Sequence, residues 1–420
     1  MKVLLTHPGT QHSFRVATAL KKHGLLYKYV TTVYDKKDSF TMKIVKLFLN
    51  KNNLSRANRR KCAALEDNDV IQFCEWFALF GLLLVRIDHS RKIYNWWEKT
   101  YSAIYQKKLA KYIIRHKDEI DMVISYDLHS SILFPILKEK TPRIKLVMDN
   151  AHPARNYLYE VYNGIDSGKF RETYAQEGGG FLVDKQVADK YGEEIRMADY
   201  HIVASSFSIK ALKFNHIDDS KILFVPYGVS KKDDVNNTLK ESHEGLNILF
   251  VGEVNQRKGI YQILEAAKQL KDKNIKFDIV GRGGDVCGHL YKPYTNCANF
   301  HGHVSFEKLQ ELYKHADVFL FPTLGEGFGL VLLEALSKGI PVIASTNCAG
   351  PDLIEDGKNG FIINPGHVNE IVEKLNFLLN NPDELEIMSN YAARSISNYT
   401  WENYENKLCQ CLINIYSQDK

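Results

Sequence analysis

Two acids, three glycines and an apolar run share the sixteen residues FPTLGEGFGLVLLEAL, numbers 321–336. Glu326 and Glu334 stand eight positions apart. A helix is expected from about Gly329, and Glu334 is the only charge in its first two turns. An unpaired buried carboxylate costs on the order of several kcal/mol, so Glu334 needs donors that its Leu and Ala neighbours cannot supply. The vicinal hydroxyls of a sugar are such donors. The helix start offers free N–H groups and the positive end of a dipole, which suit phosphate. Gly325, Gly327 and Gly329 mark a loop where backbone must come close to something. A sugar on one side and a diphosphate at the helix mouth describe a nucleotide.

The elements that must position these groups alternate along the chain. Strands are expected at residues 2–6, 27–32, 121–126, 145–149, 200–205 and 221–227, with a helix near 13–23. Alternation restarts at 246–252, 276–281, 317–322, 341–345 and 360–364. The strand runs are apolar on both faces, as in parallel sheets covered by helices. Between the two series lies a polar stretch, SKKDDVNNTLKESHEG, that reads as a linker. Two doubly wound α/β domains follow, at 1–229 and 246–398, and 420 residues are too many for one ordinary core. A helical insert occupies about 41–112, and residues 399–420 form a last helix. In such sheets ligands sit beyond the carboxyl ends of strands. Gly9, Asp127 with His129, His152, Gly252, Gly281 and Glu326 all fall there, which implies one cleft between two facing sheets.

Composition excludes several classes. Seven scattered cysteines without a C-x-x-C pair point to a reducing compartment and inert thiols. The first residues, MKVLLTHPGTQH, are a strand and not a signal peptide. No apolar run reaches membrane-spanning length; the nearest, WFALFGLLLV at 76–85, suits a buried or interfacial helix. A net charge of +5 does not argue for nucleic acid.

The second half resembles a retaining GT-B glycosyltransferase, most similar to the large family 4 group (glycosyl transferases group 1). The resemblance rests on FVGEVNQRKG, FDIVGRG, the run from NFHGHVSFEKL through FPTLGEGFGLVLLEAL to PVIAS, and GPDLIEDGKNGFIINP. The first half is similar only loosely, through THPGTQHSF, ISYDLHSS, the His152 strand end, ADYHIVASSF and VPYGV. The resemblance implies two Rossmann-like domains about a central cleft, with a C-terminal helix crossing back onto the first. It implies that Glu334 accepts from the nucleotide ribose and Glu326 from hydroxyls of the transferred sugar. Backbone amides of Gly329 and Leu330 would cradle the distal phosphate, Gly327 and Phe328 would belong to the donor-binding set, and Arg257 and Lys258 would neutralise the departing diphosphate. Gly9 would admit that diphosphate, His152 would line the donor sugar near the reacting carbon, and Gly252, Arg282 and Val304 would border the nucleotide. Catalysis would fall to Glu326, His152, Arg257 and Lys258, with no metal and no cofactor beyond the donor. Where members often carry Arg after the first glycine, this chain has Glu253, which is expected to point away from the diphosphate.

Other features read more plainly. Asp67-Asn68-Asp69 mimics a D-x-D metal motif but is expected to be an exposed loop or cap. Gly281-Arg282-Gly283-Gly284 is half a dinucleotide fingerprint without its acid, and so a strand-end turn. Asp127 is expected to cap the helix after it. Glu177 to Gly180 is a flexible loop. The stretch 43–61 holds seven basic residues and no acid. A solvated face explains it, as does docking on an anionic membrane together with 76–97. No companion motif supports nucleic-acid binding. The expected activity is hexosyl transfer from a nucleoside-diphosphate sugar to a glycan or lipid-linked oligosaccharide in envelope polysaccharide assembly, in the cytoplasm or on the inner membrane face. The alternatives are a GT-B sugar-nucleotide epimerase and a non-catalytic nucleotide-sugar binding protein. A nucleotide-dependent oxidoreductase would need the missing fingerprint.

Overall fold

A computed structural model describes residues 1–9, 12–37, 60–88, 92–176, 182–230, 243–283 and 288–418. Its strands form two sheets. The first contains β1 (Val3–Thr6), β2 (Leu26–Thr31), β3 (Val70–Gln72), β4 (Met122–Tyr126), β5 (Lys145–Asp149), β6 (Tyr200–Val203) and β7 (Ile222–Phe224), in the order β3-β2-β1-β4-β5-β6-β7. The second contains β8 (Leu246–Val251), β9 (Ile275–Val280), β10 (Asn299–Gly302), β11 (Val318–Phe321), β12 (Val342–Ser345) and β13 (Gly360–Ile363), in the order β10-β9-β8-β11-β12-β13. Neighbouring strands pair in parallel throughout both sheets. The central strands β1, β4 and β11 are buried at every position, the result of helices on both faces. This is the GT-B architecture of two Rossmann-like domains.

Two strands escaped the sequence pattern. β3 lies inside the stretch expected to be a helical insert, where Tyr29, Val30 and Thr31 pair with Val70, Ile71 and Gln72. Three residues carry too little periodicity to announce a strand, and the edge of an existing sheet supplies the order. β10 reads Asn-Phe-His-Gly and is half exposed, yet pairs with β9. The basic run up to residue 59, the loop at 177–181 and the linker at 231–242 lie outside the described residues.

The last helix, Trp401–Ser417, packs on the Ser13–Lys22 helix of the first domain. The Arg15 guanidinium lies 4.4 Å from the centre of the Trp401 ring, Lys22 bonds Glu405 at 2.6 Å, and the Tyr416 hydroxyl reaches Asp121 at 3.2 Å. The domains also meet through the glycine-rich loop after β11. The Tyr162 hydroxyl donates to the Gly325 carbonyl at 2.7 Å, and the hydroxyls of Ser205 and Ser208 donate to the Gly327 carbonyl at 2.6 and 3.2 Å. The Ser206 amide donates to Asp352 at 2.9 Å. The close approach that Gly325 and Gly327 announce is therefore made to the other domain, while Gly329 abuts Phe321 and Leu332 of its own.

A Cβ on Gly327 would sit 2.2 Å from the Ala151 carbonyl oxygen, so no larger residue fits while the domains stay together. Gly327→Val is expected to cost about 1–3 kcal/mol of stability by overpacking. Urea denaturation checks this, and an unchanged midpoint would show that the interface gives way freely.

Candidate active site

The residues Gln256–Lys258 form a single tight turn before the Ile260–Gln269 helix. The Asn255 side chain accepts from the Lys258 amide, which closes the turn. Gly259 then takes φ 76°, and a Cβ there would lie 2.1 Å from the Pro322 carbonyl oxygen. The Arg257 carbonyl accepts from the Thr323 hydroxyl at 3.0 Å and the Leu324 amide at 2.9 Å. This double bond row fixes the turn against the segment that follows β11, two residues before Glu326. Arg257 Nη1 reaches Glu326 Oε2 at 2.8 Å, and Lys258 Nζ bonds the same oxygen. Burial works to raise the Glu326 pKa, but the Lys258 and Arg257 charges outweigh it and hold the carboxyl at about 2. Glu253, expected to point away from the diphosphate, lies near one of the two cations. Its exposed carboxylate stands 3.6 Å from Arg257, because that guanidinium attracts it across one turn.

The first domain contributes from its own strand ends. Asp127, just past β4, accepts from the Ala151 amide at 3.0 Å and from His152 Nδ1 at 3.1 Å. It does not cap the Leu133–Lys140 helix, whose first amides, Ile132 and Leu133, donate instead to the Gln106 side chain at 2.9 and 3.0 Å. Burial opposes a charged His152 ring, yet Asp127 and then Glu326 raise its pKa above the ordinary value. With Nδ1 held, Nε2 is the nitrogen that can meet a ligand. An added Cβ on Gly327 would lie 3.5 Å from the His152 Cα, so His152 abuts the loop that carries Glu326. His152, Glu326, Arg257 and Lys258 thus come together at facing strand ends.

Glu194 holds the Asp127 loop and was not foreseen. Its buried carboxylate accepts the amides of Leu128 at 2.9 Å and Ser130 at 2.5 Å. Leu128 sits at φ 72°, an uncommon conformation for a non-glycine that this clamp sustains. Burial, aided by the Asp127 charge, pushes the Glu194 pKa up to about 7. In sequence Glu194 follows Glu193 on an ordinary amphipathic helix, and nothing distinguishes the two. His129 turns its ring edge toward His7, centres 5.2 Å apart, and burial pushes its pKa down to about 3. His7 Nδ1 in turn accepts from the Gly9 amide at 2.8 Å and so shapes the first loop.

A buried aromatic column joins the domains behind these groups. His12 Nε2 meets the buried Asp149 at 3.0 Å, and the Tyr227 hydroxyl lies 3.1 Å from the same nitrogen. Tyr227 stacks at a tilt on Phe328, ring centres 5.1 Å apart. Phe328 is therefore a packing anchor whose backbone, not ring, is near the helix mouth.

The remaining expected positions fall as follows. Gly329, at φ 92°, is the residue before the Leu330–Ser337 helix, and Leu330 is exposed at its first turn. Glu334 accepts from the Tyr313 hydroxyl at 3.3 Å, so the protein itself supplies one of the donors expected from a sugar. Gly252 and Gly281 cross so closely that a Cβ on Gly281 would meet the Gly252 carbonyl oxygen at 1.6 Å. Arg282 is exposed beyond β9, and Val304 is half-buried beyond β10. Asp67–Asp69 is a capped turn: Asp69 binds Lys21 at 2.8 Å and Asp67 accepts the Lys37 amide at 2.8 Å.

Residues 231–395 match the family model described as glycosyl transferases group 1. The chain is 35% identical to sulfoquinovosyl transferase SQD2 of Arabidopsis thaliana over 159 residues, 37% of this chain and 30% of that protein. It is 28% identical to the capsular polysaccharide biosynthesis glycosyltransferase CapM of Staphylococcus aureus over 230 residues, 49% of this chain and 60% of that protein. The chain thus spans less than two thirds of the length of these curated relatives. Among solved structures, sucrose-phosphate synthase from Thermosynechococcus elongatus superposes with a TM-score of 0.65 at 15% identity, covering 100% of both chains.

The Glu194 clamp has a pH signature. Its folded-state pKa of about 7 lies above the unfolded value, so folding takes up a proton in between. The stability it contributes is full below about pH 4.5 and falls as pH rises through about 7. From about pH 5 to pH 8 the wild type should lose roughly 3 kcal/mol relative to Glu194→Gln. Urea midpoints of both proteins across that range check it; parallel curves would mean that Glu194 is not perturbed.

Proposed function

We propose that the chain is a retaining, metal-independent glycosyltransferase of the family 4 kind. It moves a hexosyl group from a nucleoside-diphosphate sugar to a hydroxyl of a glycan or lipid-linked oligosaccharide. The observation that carries this reading is the sharing of one Glu326 oxygen by Arg257 and Lys258, beside His152 of the facing domain. Two cations fixed by a turn, with Lys258 over the Phe321 ring that Gly329 also abuts before the Leu330–Ser337 helix, suit a doubly charged leaving group. Glu326 keeps them aligned before the donor arrives, so little reorganisation is needed at the moment of reaction.

In the proposed reaction the bond between the anomeric carbon and the diphosphate oxygen lengthens first, giving an oxocarbenium-like centre. Negative charge grows on the diphosphate, where Arg257 and Lys258 meet it. The acceptor hydroxyl attacks on the face the diphosphate leaves, and its proton passes to a diphosphate oxygen. The new glycosidic bond therefore keeps the anomeric configuration, and no separate base is required. His152, with Nδ1 tied to Asp127, offers Nε2 to the sugar. Glu326 accepts from sugar hydroxyls with the oxygen the cations do not hold, and Glu334 from the ribose. The match to glycosyl transferases group 1 over residues 231–395 supports the donor side. The likeness to a capsular polysaccharide enzyme supports a place in envelope polysaccharide assembly, in the cytoplasm or at the inner membrane face.

Lys258→Ala should lower turnover by about 10²–10³, the cost of one preorganised donor to developing charge. Acceptor-dependent release of nucleoside diphosphate, measured with chelator present, checks it; full turnover in the variant would remove the cation role. Release that needs no acceptor would favour an epimerase. A thermal-shift screen of UDP-, GDP- and ADP-sugars should single out one donor, which at a hundred times its Kd adds about 2.7 kcal/mol. No shift with any of them would contradict nucleotide-sugar binding.

A further inference from the structure

The helix Glu75–Ile87, EWFALFGLLLVRI, has no polar face. One stripe of it is covered: Ala78, Gly81 and Leu84 are buried, and the Trp97 indole N–H donates to the Phe77 carbonyl at 2.9 Å from the next helix, Lys92–Arg115. The rest is bare. Nine of the sixteen large apolar side chains that the described residues expose lie on this pair of helices. Trp76 is 58% exposed, Leu83 51%, Ile87 63%, Ile93 57% and Trp96 64%. An apolar grouping of this size on a protein surface marks an interaction site. A helix apolar on all sides belongs in a core or in lipid. Among the described residues no helix is long and apolar enough to cross a membrane, so lipid here means the interface.

Its place in the fold is specific. The first helix starts two residues after β3, the outermost strand of the first sheet, at that strand's carboxyl end. The second is buried against the sheet only in its later half, at Tyr105, Leu109, Ala110 and Ile113. The Tyr105 hydroxyl bonds Thr6 at 2.7 Å and the Val30 carbonyl at 2.9 Å, at the carboxyl ends of β1 and β2. Trp96 stands nine residues before Tyr105, about 14 Å along the helix at 1.5 Å per residue. Gly9, Asp127 and His152 follow strands at the same edge.

We infer that this hairpin is a docking device for an anionic lipid bilayer, with Trp76, Phe80, Leu83, Ile87, Ile93 and Trp96 entering the headgroup–acyl boundary. Charge selects the bilayer over a protein partner. Residues 75–115 hold eight basic and three acidic residues, a net +5 that equals that of the whole chain. Lys99, Lys107, Lys108 and Lys111 are exposed along the second helix. Lysine is depleted where proteins bind each other and favourable beside anionic headgroups, and Trp is enriched at the lipid–water boundary. Docked in this way, the strand-end edge that carries the site borders the membrane, and an acceptor carried on lipid reaches it without leaving the bilayer. The docking itself rests on the hairpin and not on the transfer reading.

The test is flotation of the whole protein with phosphatidylcholine vesicles, with and without phosphatidylglycerol, and no nucleotide sugar present. The wild type should float with the anionic vesicles at low salt, less at high salt, and less with phosphatidylcholine alone. The W76S/L83S/W96S triple variant changes only exposed side chains, and circular dichroism confirms that it folds. Its partition should fall by at least about tenfold, given the apolar area removed. A wild type that stays with the soluble fraction at low salt overturns the inference, as does a variant that floats equally well. Equal flotation with neutral vesicles overturns the role of charge. A dimer by light scattering that the variant splits would assign the surface to a second copy of the chain. Because donor binding is absent from the assay, failure here leaves the transfer reading untouched, and failure of donor binding leaves this one untouched.

Discussion

One oxygen of Glu326 is held by two cations, and much of the candidate site follows from that sharing. A carboxylate with this little solvent contact stays ionised only because Lys258 and Arg257 are beside it. The cations in turn cannot drift, since their turn is bonded to Thr323 and Leu324 in the segment that leads to Glu326. The result is a closed loop of constraints in which each charge positions the others. In the proposed reaction a diphosphate would draw on the same two cations.

The second constraint is the seam between the domains. Gly327 lies against Ala151, and its carbonyl is taken by Ser205 and Ser208. The loop that carries Glu326 is therefore fixed by both domains at once, with Tyr227 and Phe328 packed behind it. The Glu194 carboxylate plays the matching part on the first-domain side, where it holds the loop that brings Asp127 to His152. The fixed seam explains why the acid and the histidine meet although they belong to different sheets.

Most of the fold was legible because long apolar runs alternate with helical stretches, and parallel sheets buried on both faces produce that pattern. β3 and β10 were not legible, since a three-residue and a half-exposed strand owe their order to neighbours far away in sequence. The convergence of Glu326, Arg257, Lys258 and His152 was read from strand ends and from a family likeness. What spacing could not convey is partnership at a distance. Tyr313 bonding Glu334 and Glu194 gripping the Leu128 and Ser130 amides depend on packing that no local pattern encodes. The hairpin is an intermediate case. Its apolarity was plain in sequence, but that its residues remain bare needed coordinates.

The proposed reaction requires that Arg257 and Lys258 receive the diphosphate. Isothermal titration of a nucleoside, its monophosphate and its diphosphate into the wild type and into the Arg257→Gln/Lys258→Gln variant tests it most directly. The wild type should prefer diphosphate over nucleoside by at least about a hundredfold, from two charge-assisted contacts of about 1.5–3 kcal/mol each, and the variant should lose this preference while binding the nucleoside unchanged. A variant that keeps the full preference would contradict it.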